Sequence, residues 1–216
     1  MAYNFVKAST QYISSTYPLG ANMFPCTMAG WINLNGTPDG GPAIIGLSHS
    51  TGSGAIAIQY ATGFGVRAWH RSNTGAEVGA YYAPTLSTGT WHHIAGVFSS
   101  LSSRSIYVNG VLRSTNTQVQ TTTTVNTYNI GTIFSASPNY ALVNGQLAEV
   151  GIWNSDLSSE EILSLSKNFS PALIRPMNLV SYVPLLRNIN DLERGSINTA
   201  INNPTVATHP RIIMPG

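Results

Sequence analysis

The chain has 216 residues, of which 8% are charged, and 10 Lys and Arg against 8 Asp and Glu leave a formal charge of +2. Eight of the ten basic residues are arginines scattered along the sequence, so the basic cluster that marks a nucleic-acid surface is missing and no nucleic-acid partner is expected. Cys26 is the one cysteine, which excludes an intrachain disulfide and a paired-cysteine metal or redox site.

The start, M-A-Y-N-F-V-K-A-S-T-Q-Y-I, lacks the positive leader and long apolar run of a secretory signal, and no later run is long enough to cross a bilayer. A protein made in the cytoplasm, without a membrane partner, is the expectation. Short β-type runs then follow at sandwich spacing: Ala2 to Val6, Gln11 to Ile13, Cys26 to Leu34, Ala43 to Leu47, Ala55 to Tyr60, Phe64 to His70 and Ala76 to Tyr82. Gly- and Pro-rich stretches at 36–42, 50–54 and 72–75 separate them as loops. Met28, Phe24, Trp31 and Trp153 are assigned to the core.

The stretch from Trp91 to Gly110 reads as two antiparallel strands, Trp91 to Phe98 and Ser105 to Val108. Both faces of the first carry apolar side chains, as expected within a packed sandwich. Asn109-Gly110 supplies the positive φ angles of a tight turn, after which Val111-Leu112 pairs straight back. Thr121 to Thr124 is a low-complexity run that β-branching keeps extended. Strands are expected again at Tyr128 to Phe134 and Gln146 to Trp153. Ser158 and Glu161 form a capping box that opens one short helix, closed by Asn168 and Pro171.

Beyond Pro171 the texture changes. Leu179 to Leu185 reads as an edge strand, because Pro184 cannot donate to a ladder. The division expected is a sandwich over residues 1–170 and a strand with an extended arm over 171–216, resting on the sandwich or on a neighbouring subunit. Tyr182, Arg211, Ile212, Ile213 and Met214 are the arm's candidate assembly contacts, since its apolar side chains favour burial against something.

Candidate chemistry is sparse. Neighbouring strand residues point to opposite faces, so His92 and His93 cannot converge on one ion. His49, His70 and His209 stand alone, and no nucleophile-elbow pattern accompanies a Ser-His-Asp set. Asp39 and Asp191 are isolated acids, whereas calcium needs several converging oxygens, so no metal and no cofactor is expected. The best ligand-like cluster is Trp69-His70-Arg71 with Tyr81-Tyr82 on the next strand, a set of rings and donors suited to a surface glycan, with core packing as its plainer explanation.

Four segments carry a resemblance: Phe5 to Tyr12, Gly89 to Phe98, Ile106 to Val111, and Asn144 to Asn154 running into Leu157 to Ile162. Together they resemble the laminin-G-like branch of the concanavalin A-like lectin and glucanase superfamily over residues 2–170. The resemblance implies an all-β fold, a jelly-roll sandwich of two antiparallel sheets with one short helix and a C-terminal arm. Glucanases of that superfamily use paired carboxylates on one strand, whereas the corresponding strand here offers Glu149 alone, and Asp156 lies seven positions on. No enzymatic activity is expected. The ending, with Leu179 to Leu185, Asn203-Pro204 and His209-Pro210, is similar to domains in bacteriophage virions. It implies a virion structural protein that decorates or cements the capsid, or forms part of a fibre, as a homo-oligomer such as a trimer, with other capsid proteins as partners. A carbohydrate-binding receptor module is the alternative, and a glycoside hydrolase the third reading.

Overall fold

A computed structural model describes residues 2–16, 23–36, 41–61, 63, 65–134, 141–186, 188–193 and 198–214. In chain order the strands are β1 (Ala2–Phe5), β2 (Tyr12–Thr16), β3 (Cys26–Leu34), β4 (Ala43–Ser48), β5 (Ala55–Ala61), β6 (Gly65–Arg71) and β7 (Glu77–Tyr82). They continue as β8 (Trp91–Ser100), β9 (Ser103–Val108), β10 (Val111–Asn116), β11 (Thr127–Ile130), β12 (Gly145–Trp153), β13 (Leu179–Val183), β14 (Thr199–Ile201) and β15 (Thr205–Ala207). One α-helix, α1 (Ser159–Ser166), follows β12.

The strands form two antiparallel sheets. The first runs β10-β9-β8-β3-β12-β1-β15, with β13 also pairing to β12, and the second runs β14-β2-β11-β4-β5-β6-β7. Strand β12 gives its first residues to β1 and its last to β13, the ladders being separated by a bulge at which Glu149 takes a φ of 54°. As expected, β13 is an edge strand: its one ladder is to β12.

The pleat explains the sequence. Alternate residues of each strand point between the sheets, where Phe5, Met28, Ile32, Ile58, Ile94 and Phe98 share one core. Each buried aliphatic or aromatic side chain there contributes about 1.5–3 kcal/mol. The opposite faces are covered as well, so strands such as β8 are apolar on both sides. Ala95, Val97, Tyr107 and Trp153 lie beneath Ile162 and Leu165 of α1. On the second sheet Ala55, Ala57 and Trp69 lie beneath Ile133, Phe134 and Ala141.

The turn and cap signals are realised. Asn109 and Gly110 both have positive φ, at 53° and 78°, and join β9 to β10. The Ser158 hydroxyl accepts from the Glu161 amide while the Glu161 carboxylate accepts from the Ser158 amide at 2.7 Å. Among the differences from the sequence reading, two change the sheets. Strand β11 stops at Ile130 because Gly131, at φ 88°, turns the chain out of the ladder, and the Asn129 side chain donates to the Ile133 carbonyl at 2.8 Å. The C-terminal segment also contributes two short strands, β14 against β2 and β15 against β1, one to each sheet. Asn202 and Asn203 make the crossing with positive φ angles of 56° and 51°, and their carbonyls accept from the Gln11 side chain.

Candidate functional site

The aromatic cluster singled out from the sequence does not assemble, which corrects that expectation. On β6, Arg67, Trp69 and Arg71 share the outer face while His70 points into the core. On β7, Tyr81 is 37% exposed on the outer side while Tyr82 packs on the core cluster. Trp69 is 0% exposed and cannot stack on a sugar. Its indole N–H donates to Glu77 Oε2 at 3.0 Å, and its ring meets Phe134 edge-on at 6.4 Å. The Arg67 guanidinium lies 5.0 Å from the Trp69 ring centre and 5.9 Å from that of Tyr81. Arg71 lies 5.9 Å from the Phe134 ring, and Arg113 covers Tyr82 at 4.8 Å. These contacts complete a packed layer.

The histidines take structural positions. His92 bonds to Ser87 and Asn109 at the surface. His93 is buried edge-on to Trp31 at 5.3 Å, and desolvation lowers its pKa from 6.5 to about 3. Burial, reinforced by Arg104, lowers His70 to about 4. His49 bonds to Thr51. Asp39 lies outside the described residues. Asp191 accepts from the Tyr182 and Glu193 amides, and among the described residues no three metal-binding side chains cluster.

The arm folds onto its own sandwich. Tyr182 is 1% exposed, and its hydroxyl donates to Glu149 Oε2 at 2.7 Å while accepting from Ser170 at 3.0 Å. His209 Nε2 lies 3.0 Å from Glu149 Oε1, with the Pro184 carbonyl sharing that nitrogen at 3.2 Å, so a buried imidazole–carboxylate contact joins the arm to β12. Ile212 packs beside Ala2, Trp31 and Ala148. Ile213 bridges to Phe169, and its amide and carbonyl pair with the Asn168 carbonyl and the Ser170 amide. Arg211 is exposed, and Ile213 and Met214 are 49% and 41% exposed.

A concavity lies at one end of the sandwich, a cleft of about 660 Å³. Its walls are Met23 and Phe24 ahead of β3, Ser99 to Ser102 where β8 turns into β9, and Thr122 to Thr124. The size falls within the roughly 300–1,000 Å³ of small-molecule sites. Three apolar side chains, Met23, Phe24 and Leu101, stand beside six hydroxyls. Ser100 and Ser102 pair with each other at 3.3 Å, and Thr123 donates to the Arg71 carbonyl at 2.5 Å. The hydroxyls of Ser99, Thr122 and Thr124 have no partner among the described residues and are open to a ligand.

Arg104 on β9 fixes two of the walls. It is 0% exposed, and Nη2 donates to the Leu101 carbonyl at 2.7 Å while Nη1 donates to Asn116 Oδ1 at 2.6 Å and the Gln118 carbonyl at 2.9 Å. The Leu101 carbonyl also accepts from the Gln120 amide at 2.9 Å. Behind the third wall, the Phe24 ring packs on the His70 imidazole with centres 5.5 Å apart. Sequence reasoning missed this site because it placed Phe24 in the core and read the threonine run as extended backbone. The usable signal was compositional: S-S-L-S-S at 99–103 and T-T-T-T at 121–124 are dense hydroxyl runs.

A family model for the concanavalin A-like lectin/glucanases superfamily, of laminin-G type, matches residues 7–163. The chain belongs to this superfamily. No curated protein sequence matches it. Among solved structures, it is similar to a heptameric SAP-like pentraxin from Limulus polyphemus, with 12% identity, a TM-score of 0.69, and coverage of 96% of this chain and 94% of that one. A candidate carbohydrate-binding protein from Bacteroides ovatus superposes at 18% identity and TM-score 0.69, over 98% of this chain and 61% of that one. Domain 4 of AbnA, an extracellular arabinanase from Geobacillus stearothermophilus in complex with arabinotriose, matches at 15% identity and TM-score 0.56, over 70% and 71%. At these identities the likeness establishes the superfamily's sandwich fold.

Proposed function

We propose that the protein is a non-catalytic carbohydrate-binding module that holds a short glycan in the cleft between Phe24, Ser99 to Ser102 and Thr122 to Thr124. The observation that carries this reading is the pairing, in one concavity, of an aromatic ring with unpartnered hydroxyls, because sugars bind by stacking a C–H face on a ring and bonding their hydroxyls at the rim. The Bacteroides protein's description and the arabinotriose in the AbnA domain support it as properties of similar sandwiches. Glu149 supports the non-catalytic part: its carboxylate is 1% exposed, with Oε2 accepting from the Tyr182 hydroxyl and Oε1 beside His209. A glycan array followed by calorimetry on the hit tests the proposal. The Thr122→Ala/Thr124→Ala double variant, at two exposed positions, should keep its melting temperature and lose about tenfold or more in affinity. Absence of any array signal, or unchanged affinity in the variant, overturns it.

The second reading is a structural role in a larger particle, such as a bacteriophage virion, with copies meeting through the arm. It is favoured by the exposed apolar patch where Phe169 and Ile213 are bridged and Met214 follows. Sedimentation should then show concentration-dependent association that Ile213→Asp abolishes, and proteomics of purified particles should find the chain. A monomer at every concentration removes the arm-mediated form of this reading.

A further inference from the structure

We infer that the cleft selects an acidic sugar, one bearing a carboxylate or a sulfate, and that the buried guanidinium of Arg104 supplies the selecting charge. The inference rests on the carbohydrate-binding reading and adds the class of ligand. Every acceptor that holds Arg104 is neutral: one side-chain amide and two backbone carbonyls. Its Nε has no partner, and its 0% exposure keeps water from screening it. A guanidinium removed from water without a counter-charge is unfavourable, and its field reaches further in a low-dielectric interior than in solvent.

That field emerges at the cleft, because the Leu101 carbonyl on Arg104 belongs to the turn that forms one wall. None of the seven acidic residues among the described residues lines the cavity. The second polar group is His70, 0% exposed behind Phe24 with both ring nitrogens unpartnered. A neutral imidazole there carries one N–H directly behind a ring that lines the cleft. The hydroxyls of Ser99, Thr122 and Thr124 can donate to an anionic oxygen from the rim. An acidic group would therefore meet a positive field and several donors, and no repelling carboxylate among the described residues, whereas a neutral sugar would use the donors alone.

Paired probes separate charge from shape. Calorimetry with trigalacturonate and its fully methyl-esterified form, and with sulfated and unsulfated isomaltotriose, should show at least one acidic member binding about tenfold tighter than its neutral twin, a difference of about 1.4 kcal/mol. The preferred pair identifies the anionic group. Thr124→Glu, at an exposed rim position, should abolish that preference without changing the melting temperature, and Arg104→Gln should do the same if it folds. Equal affinity within both pairs overturns the charge inference and leaves the glycan reading standing. Failure of all four probes overturns the charge inference as well, and a silent glycan array in addition overturns the glycan reading.

Discussion

Trp69→Ala distinguishes a packed indole from a sugar platform, the two roles its composition allowed. A buried tryptophan removes roughly 150–250 Å² from water, and truncating one to alanine costs about 3–5 kcal/mol because the surrounding layer collapses incompletely. Here the surroundings are Ala43, Ala55, Ala57, Ile133, Phe134 and Ala141. The alanines are too small to reach into the void, so the upper part of that range applies. The lost N–H bond to Glu77 adds little, since that carboxylate is 39% exposed and water replaces the donor. A net loss of about 4 kcal/mol is a large share of the 5–15 kcal/mol typical of a domain, and about 8–16 °C in melting temperature for a chain of this length. Urea unfolding followed by circular dichroism reads it directly. Glycan affinity, measured well below the melting temperature, should stay within about twofold of wild type, as Trp69 does not line the cleft. A loss under about 1 kcal/mol accompanied by abolished glycan binding would refute the burial reasoning.

Three further outcomes follow from buried charge and capping. His70 and His93, lowered from 6.5 to about 4 and about 3, are neutral in the fold, so the unfolded chain binds protons first. Their contribution is intact above pH 6.5 and is lost as pH falls, at about 1.4 kcal/mol per unit for each histidine until its folded pKa is reached; His93→Gln should flatten the decline seen by tryptophan fluorescence, and a parallel curve would exclude His93 as a cause. His209→Ala leaves Glu149 Oε1 buried without its neighbour from the arm, which should cost about 2 kcal/mol and speed amide exchange over 199–214, while unchanged exchange would show that the His209–Glu149 contact does not hold the arm. Ser158→Ala removes the acceptor for the Glu161 amide and should cost about 1 kcal/mol by thermal unfolding, with no loss refuting a working cap.

Local rules carried most of the fold. Asn109-Gly110 and the Ser158 capping box are fixed by backbone angles and one side-chain bond each, so the sequence states them without knowing what lies around them. The limits of β3, Cys26–Leu34, agree because in this nine-residue strand, buried on both faces, Thr27 and Asn33 are the polar positions and apolar residues stand at both ends. By contrast, β14 and β15 are three residues long and half-buried or exposed, and their ladders join the other end of the chain. Nothing local in Thr199–Ile201 specifies pairing with Ser14 to Tyr12; that partner exists once β1 and β2 are in place. The cleft was hidden for the same reason, being assembled from three segments that approach one another only in the folded sandwich.

The misplaced aromatic cluster has a different origin. Alternation excludes His92 and His93 as a pair, and the same rule separates Trp69 from His70 and Tyr81 from Tyr82, because successive side chains on a strand leave by opposite faces. Applied to the whole of β6 and β7, it puts Arg67, Trp69, Arg71 and Tyr81 on one side and His70 and Tyr82 on the other, as the sheet does. What alternation cannot supply is which side faces solvent. In a two-layer sandwich the polar side would be the wet one, but here a further layer, Ile133 and Phe134, lies over the outer face, so arginine stacked on tryptophan there marks a covered surface. An aromatic beside arginine in this chain therefore reports packing, and the hydroxyl-rich turns at the sandwich end are where unpartnered hydroxyls line a cavity.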